Sequence, residues 1–130
     1  EGEAWCEYKG FVDHADLKEY LRTATLLAIP SFEDNCPNVV LEAMAAGVPV
    51  AGARVGGIPD LVRDGRTGLL FDPGDEADVR DKVLHLLDNE AEAEAMGAEG
   101  RRIALSDYHP RFIAERHVEI YREALGRAAV

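Results

Sequence analysis

Two stretches of this chain carry residues whose types and spacing could do chemistry: PSFEDNCPNVVLEAMA (residues 30–45) and ARVGGIPD (residues 53–60). In the first, Asp34 and Glu42 stand eight positions apart, with Glu33 beside Asp34. Pro37 suits the first turn of a helix, where its missing N–H costs nothing. The amides of Asn38 and Val39 then point outward, a seat for phosphate or another anion. Asp34 falls just outside the helix start, where its carboxylate can accept hydrogen bonds from hydroxyl groups. Glu42 follows Asn38 by four positions, so the two project from one helix face. One carboxylate therefore sits at the helix mouth and the other about a turn deeper.

A plainer reading has Asp34 as a capping residue and Glu42 as an exposed charge on a half-buried helix. The neighbours of Glu42 argue against the second half of that reading. Val39, Val40, Leu41, Ala43 and Met44 surround it, so much of the helix should be buried. A buried carboxylate needs hydrogen-bond donors, or it shifts its pKa and neutralises. The diol of a ribose is one source of such donors.

The second stretch sets Gly56-Gly57 before a short helix, which permits either a tight turn or close backbone approach to a ligand. Arg54, the one cation of that loop, is a candidate phosphate contact. No histidine pairs with a Ser or Cys nucleophile at a persuasive spacing, which argues against a hydrolase triad: His14 lies near a helix start, His85 among leucines, His109 before Pro110, and His117 in the last helix. Cys36, at a helix start, fits a packing or backbone-contact role better than an activated thiol.

The elements that must position these loops alternate between two periods. An extended stretch is expected at Trp5 to Tyr8, ending at Gly10, and a helix opening at Asp13 or His14. The apolar run TLLAI (25–29), bounded by Pro30, reads as a buried strand. A helix over 37–46 stops at Gly47, a residue suited to the left-handed C-cap position. VPVAGA (48–53) reads as another buried strand, residues 59–62 as a short helix, Asp64-Gly65 as a turn, and 68–71 as a strand. Asp75 caps a helix to about residue 88, and two more helices follow, over roughly 90–104 and 110–126. Strands alternating with helices point to a partial doubly wound α/β domain: a Rossmann-like parallel sheet of four short strands with helices on both faces. In such sheets ligands bind beyond the carboxyl ends of the strands. Both chemistry-bearing loops leave strand ends there, so they are candidates for one shared site.

Composition sets the outer limits. The chain has 130 residues, enough for one core, and a net charge of −11. With no basic stripe to offset that acidity, non-specific binding to nucleic acid is not expected. Cys6 and Cys36 match no metal-ligand spacing and read as reduced thiols in a cytoplasmic setting. No apolar run approaches the roughly 18 residues of a membrane span.

With these residues in hand, the chain resembles the C-terminal, donor-binding half of GT-B-fold retaining glycosyltransferases, the group 1 glycosyl transferases. YKGFVDHADLKEYLRTATLLAIPS (8–31) is similar to the family's strand–Gly–helix–strand approach to the site. EDNCPNVVLEAMAAGVPVAGARVGGIPDLVRDGRTGLLFDPGD (33–75) is similar to its signature block. The resemblance implies a nucleotide-sugar donor. Glu42 would bond the ribose hydroxyls of that donor, and Asp34 the hydroxyls of its sugar, as the catalytic acid position. Asn35, Cys36, Pro37, Asn38 and Val39 replace a Gly-Phe-Gly-like stretch whose amides approach sugar and phosphate. Asp34 is one carbon shorter than the family's usual Glu, and Pro37 lacks an amide; Glu33 takes the acid's place if the loop slips by one.

The resemblance further implies a metal-independent reaction without a cofactor, and a carbohydrate or lipid-linked acceptor bound by a separate N-terminal domain that residues 1–130 do not contain. The full enzyme would be cytoplasmic or peripheral at the inner membrane face. Residues 1–130 alone would be inactive and would self-associate through an exposed sheet edge. The alternatives are a stand-alone nucleotide-binding or regulatory domain of the same fold, or half of a sugar-nucleotide epimerase.

Overall fold

The computed structural model describes residues 5–128. In chain order the elements are α1 (His14–Thr23), β1 (Leu27–Ile29), α2 (Asn38–Ala46), β2 (Val50–Ala53), α3 (Ile58–Leu61), β3 (Gly68–Phe71), α4 (Glu76–Asp88), α5 (Glu90–Asp107) and α6 (Pro110–Ala128). The strands form one parallel sheet in the order β1-β2-β3. Leu27 lies opposite Val50 and Val50 opposite Gly68, so the three strand ends finish at one edge.

Local chemistry explains most of the boundaries. Asp13 and Asp75 each cap a helix start, with one carboxylate oxygen accepting two first-turn amides. Gly47 ends α2 in the left-handed conformation (φ 81°), its N–H turned back to the carbonyls of Ala43 and Met44. All four residues of β2 are buried, as a strand covered on both faces requires.

Successive residues of the strands feed two separate cores. Val50 and Leu70 join Val40, Met44, Ile58 and Ile103 on the face covered by α1, α2 and α3. Ala51, Ala53 and Phe71 join Leu86, Ala93 and Met96 on the α4 face. Helix α5 reaches both cores, through Ala93 and Met96 at its start and Ile103 and Ala104 near its end. Helices therefore lie on both faces of the sheet, as expected.

The fourth strand is absent among the described residues. Residues 5–10 form no strand, and Trp5, Tyr8 and Phe11 are all strongly exposed. β1 is hydrogen-bonded to β2 on one side, and the 5–8 stretch is not added as a strand to its other edge. None of the described helices is long and apolar enough to cross a membrane.

Candidate functional site

The two chemistry-bearing loops meet. The loop over residues 30–37 leaves β1, and the loop over residues 54–57 leaves β2. They touch backbone to backbone: the Gly57 N–H donates to the Asp34 carbonyl at 3.1 Å. A Cβ on Gly56 would fall 1.7 Å from that oxygen, and one on Gly57 2.0 Å from the carbonyl oxygen of Asn35. Gly56 also has a positive φ, 50°. Space that the sequence would have lent to a ligand is thus taken by the neighbouring loop, and the glycines fix where Asp34 and Asn35 sit. Asp34 is half-buried, while Glu33, Asn35 and Cys36 are exposed.

Pro37 is buried and stands one position before α2, as its cap residue; no side chain caps this helix. The Val40 amide returns to the Pro37 carbonyl at 3.0 Å. Asn38 is exposed and Val39 half-buried at the first turn, beside Asp34 at the mouth of the helix. Aligned peptide dipoles favour negative charge at such an end.

Glu42 lies one turn further along α2, with its side chain 27% exposed. One carboxylate oxygen, Oε2, is buried and has no hydrogen-bond partner. The other, Oε1, is 3.4 Å from Nδ1 of His14 at the start of α1. Helix α1 leads into β1, so its first turn lies at the same sheet edge as the loops. A cavity of about 290 Å³ opens between the two helices, with Glu42, His14, Lys18 and Arg22 among its walls. A second, of about 280 Å³, has Glu42 on one side and Tyr108 and His109 on the other. The accessible part of this carboxylate lies at the walls of the two cavities, within reach of a ligand's donors, while Oε2 is closed off from solvent and lacks a partner, at a cost in free energy.

Arg54 does not reach into this space. Its Nη2 donates to Oδ2 of Asp64 at 3.0 Å, and its Nε lies 3.8 Å from Asp72. The other oxygen of Asp64 accepts the Leu70 amide at 2.9 Å. Burial pushes the Asp64 carboxyl up, but the Leu70 amide and the Arg54 guanidinium outweigh it and hold the group below its ordinary range. The candidate phosphate contact is therefore a brace that ties the β2 exit to the turn before β3. Sequence reasoning missed both this pairing and the His14–Glu42 contact, which join positions 10 and 28 residues apart; local pattern carries no signal of either.

Other hollows lie elsewhere. One of about 510 Å³ is bounded by Thr25, Pro49 and Glu90, at the amino ends of the strands. An apolar one of about 750 Å³ runs beside Phe32, Phe71 and Val79 on the α4 side. Cys6 and Cys36 are free and exposed. Among the described residues no group of three or more His, Cys, Asp or Glu side chains is arranged to hold a metal ion.

An open parallel sheet with two such loops locked together at its carboxyl edge defines an α/β domain of the kind that takes ligands in that crevice. Residues 2–89 match the family described as Glycosyl transferases group 1, and the chain belongs to that family. It is 34% identical over 110 residues to the N-acetyl-alpha-D-glucosaminyl L-malate synthase of Bacillus anthracis, a match covering 85% of this chain and 29% of that protein. The fold superposes on sucrose-phosphate synthase from Thermosynechococcus elongatus with a TM-score of 0.83 at 30% identity, over 91% of this chain and 30% of the other. It also superposes on Anabaena HepE in complex with UDP and glucose, with a TM-score of 0.81 at 22% identity, over 90% of this chain and 32% of the other. The chain thus spans under a third of the length of these proteins.

Proposed function

We propose that this domain binds the nucleoside-diphosphate sugar of a glycosyltransferase and presents it, across the carboxyl edge of the sheet, to an acceptor held by a separate domain. The observation that carries this reading is Glu42: a partly exposed acid on a helix anchored by buried Val40, Ala43 and Met44, set in the walls of two cavities. By the resemblance of residues 33–75 to the family's signature block, it would fall on the ribose-binding position. Family membership and the UDP and glucose bound by the HepE neighbour support the same ligand class.

In this account Glu42 accepts hydrogen bonds from the ribose hydroxyls. The first turn of α2 faces the diphosphate, where its amides favour the charge that accumulates as the sugar–phosphate bond breaks. Asp34, pinned through its own carbonyl by Gly57, faces the sugar hydroxyls, and Glu33, Asn35 and Cys36 line the same loop. Transfer proceeds with retention at the sugar carbon. The readings as a stand-alone regulatory domain or half an epimerase draw no support from these relatives.

The test is Glu42→Ala in the transferase that carries this domain. Losing a hydrogen bond to a charged group costs about 1.5–3 kcal/mol, so the donor KM should rise roughly ten- to a hundredfold. A donor KM equal to that of the unaltered enzyme would refute the ribose role.

A further inference from the structure

We propose that Arg54 and Asp64 are a positioning pair for Asp34: their brace holds, from the β3 side of the sheet, the loop on which the sugar-facing acid hangs. The inference rests on the donor-binding reading above and adds two residues to it. Among the described residues, one hydrogen bond ties residues 31–36 to the rest of the chain, that from the Gly57 amide to the Asp34 carbonyl. Where Asp34 stands is therefore decided by where residues 54–57 stand.

That segment is fixed at both ends. At one end the Gly56-Gly57 pair lies against the carbonyls of Asp34 and Asn35. At the other, the Arg54 amide donates at 2.9 Å to the carbonyl of Phe71, the last residue of β3. The Arg54 side chain then runs to Asp64, where Nη2 donates at 3.0 Å, with Nε 3.8 Å from Asp72. Asp64 is itself held, because its other oxygen accepts the Leu70 amide at 2.9 Å. Only Val55 and Gly56 separate Arg54 from Gly57, so a shift at Arg54 reaches Asp34 with little slack between.

What the pair supplies is placement rather than stability. Both side chains are nearly half exposed, and ion pairs in such settings add little to folding. A displacement of about 1 Å at a reacting centre, by contrast, can lower turnover about a hundredfold. Glu42 and the first turn of α2 take no part in this chain of contacts, so the hold on the nucleotide should not change. That separates the brace from the direct phosphate contact that the charge of Arg54 first suggests. A phosphate ligand would carry affinity for free UDP; a brace carries turnover.

The experiment is kinetic, in the transferase that carries this domain, with affinity for free UDP from calorimetry and folding from urea midpoints. Arg54→Met removes the charge but keeps an unbranched side chain: kcat should fall roughly ten- to a hundredfold, while UDP affinity and the midpoint stay near those of the unaltered enzyme. Arg54→Lys, which keeps the charge, should recover part of kcat. Asp64→Asn keeps an oxygen for the Leu70 amide but turns an N–H toward the guanidinium, and should lower kcat likewise. Because the two residues act as one unit, the double variant should be no slower than the slower single. Unchanged kcat in Arg54→Met, no recovery with lysine, additive losses in the double variant, or a fall in UDP affinity as large as the fall in kcat would each overturn the proposal. If Glu42→Ala raises the donor KM while Arg54→Met leaves kcat unchanged, the donor site stands and the brace is removed from it. If Glu42→Ala leaves the donor KM unchanged, the donor reading fails, and this proposal with it.

Discussion

Gly56→Ala separates two roles that a glycine can play, and the structure gives the size of each. The residue has φ 50°, a region where a Cβ costs an L-residue about 1–2 kcal/mol. Its Cβ would also stand 1.7 Å from the Asp34 carbonyl oxygen, so the two loops must separate. That breaks the 3.1 Å bond from the Gly57 amide to the same oxygen, a further loss of about 1 kcal/mol. The total is about 2–3 kcal/mol. Gly65→Ala is the matched comparison: its φ is 71° and no atom lies within 4 Å of the added carbon. It should lose only the conformational part, about 1–2 kcal/mol. Stiffening of the unfolded chain by alanine is common to both and cancels. Urea unfolding measures the difference. With a slope of roughly 1–3 kcal/mol per molar, Gly56→Ala should unfold at a clearly lower midpoint than Gly65→Ala. Because the clash displaces Asp34, Gly56→Ala should also weaken UDP-glucose binding, and Gly65→Ala should not. Equal midpoints, or equal affinities, would refute the claim that Gly56 exists to let the loops touch.

Other perturbations probe separate parts of the account. Asp34→Asn should impair sugar transfer more than it impairs binding of free UDP, measured by steady-state kinetics and calorimetry; equal effects would argue against a sugar contact. Thr67 is fully buried and its hydroxyl accepts the Arg63 amide at 2.9 Å, so Thr67→Val should destabilise the domain by about 1–3 kcal/mol, read from denaturant midpoints. Arg102, with help from Arg66, holds the Glu99 carboxyl at about 2 against an ordinary value of 4.5. A lowered carboxyl stabilises the fold above its unfolded value and loses that contribution as pH falls toward the folded one. Glu99→Gln should therefore be less stable than the unaltered chain near neutrality, with the gap closing between pH 4.5 and about 2. A gap independent of pH would contradict the pairing.

What the sequence made legible was local. Asp13, Asp75 and Gly47 act within three or four residues of themselves, and each sits where its side-chain chemistry puts it. The sheet's direction followed from alternation, and the placing of both loops at one edge followed from parallel strands. Trp5 to Tyr8 failed as a strand because strand formation depends on a neighbour rather than on the segment's own residues. Arg54 looked free because Asp64 and Asp72 reach it only after the chain has turned through α3. That Glu42 is at least partly buried was readable from its apolar neighbours; it is half-buried, with one oxygen closed off from solvent. The identity of the one group beside it, His14, was not, since helix packing brings them together across a strand and a loop. The glycine pair was recognisable as a close approach, but only the fold shows that the approaching partner is the protein's own backbone.

The most direct test of the central claim is a structure of the domain with UDP-glucose bound. The account predicts the nucleotide across the carboxyl edge, a ribose hydroxyl about 3 Å from the Glu42 carboxylate, and the glucose beside Asp34. A nucleotide seated instead in the hollow by Thr25, Pro49 and Glu90, with Glu42 untouched, would contradict it.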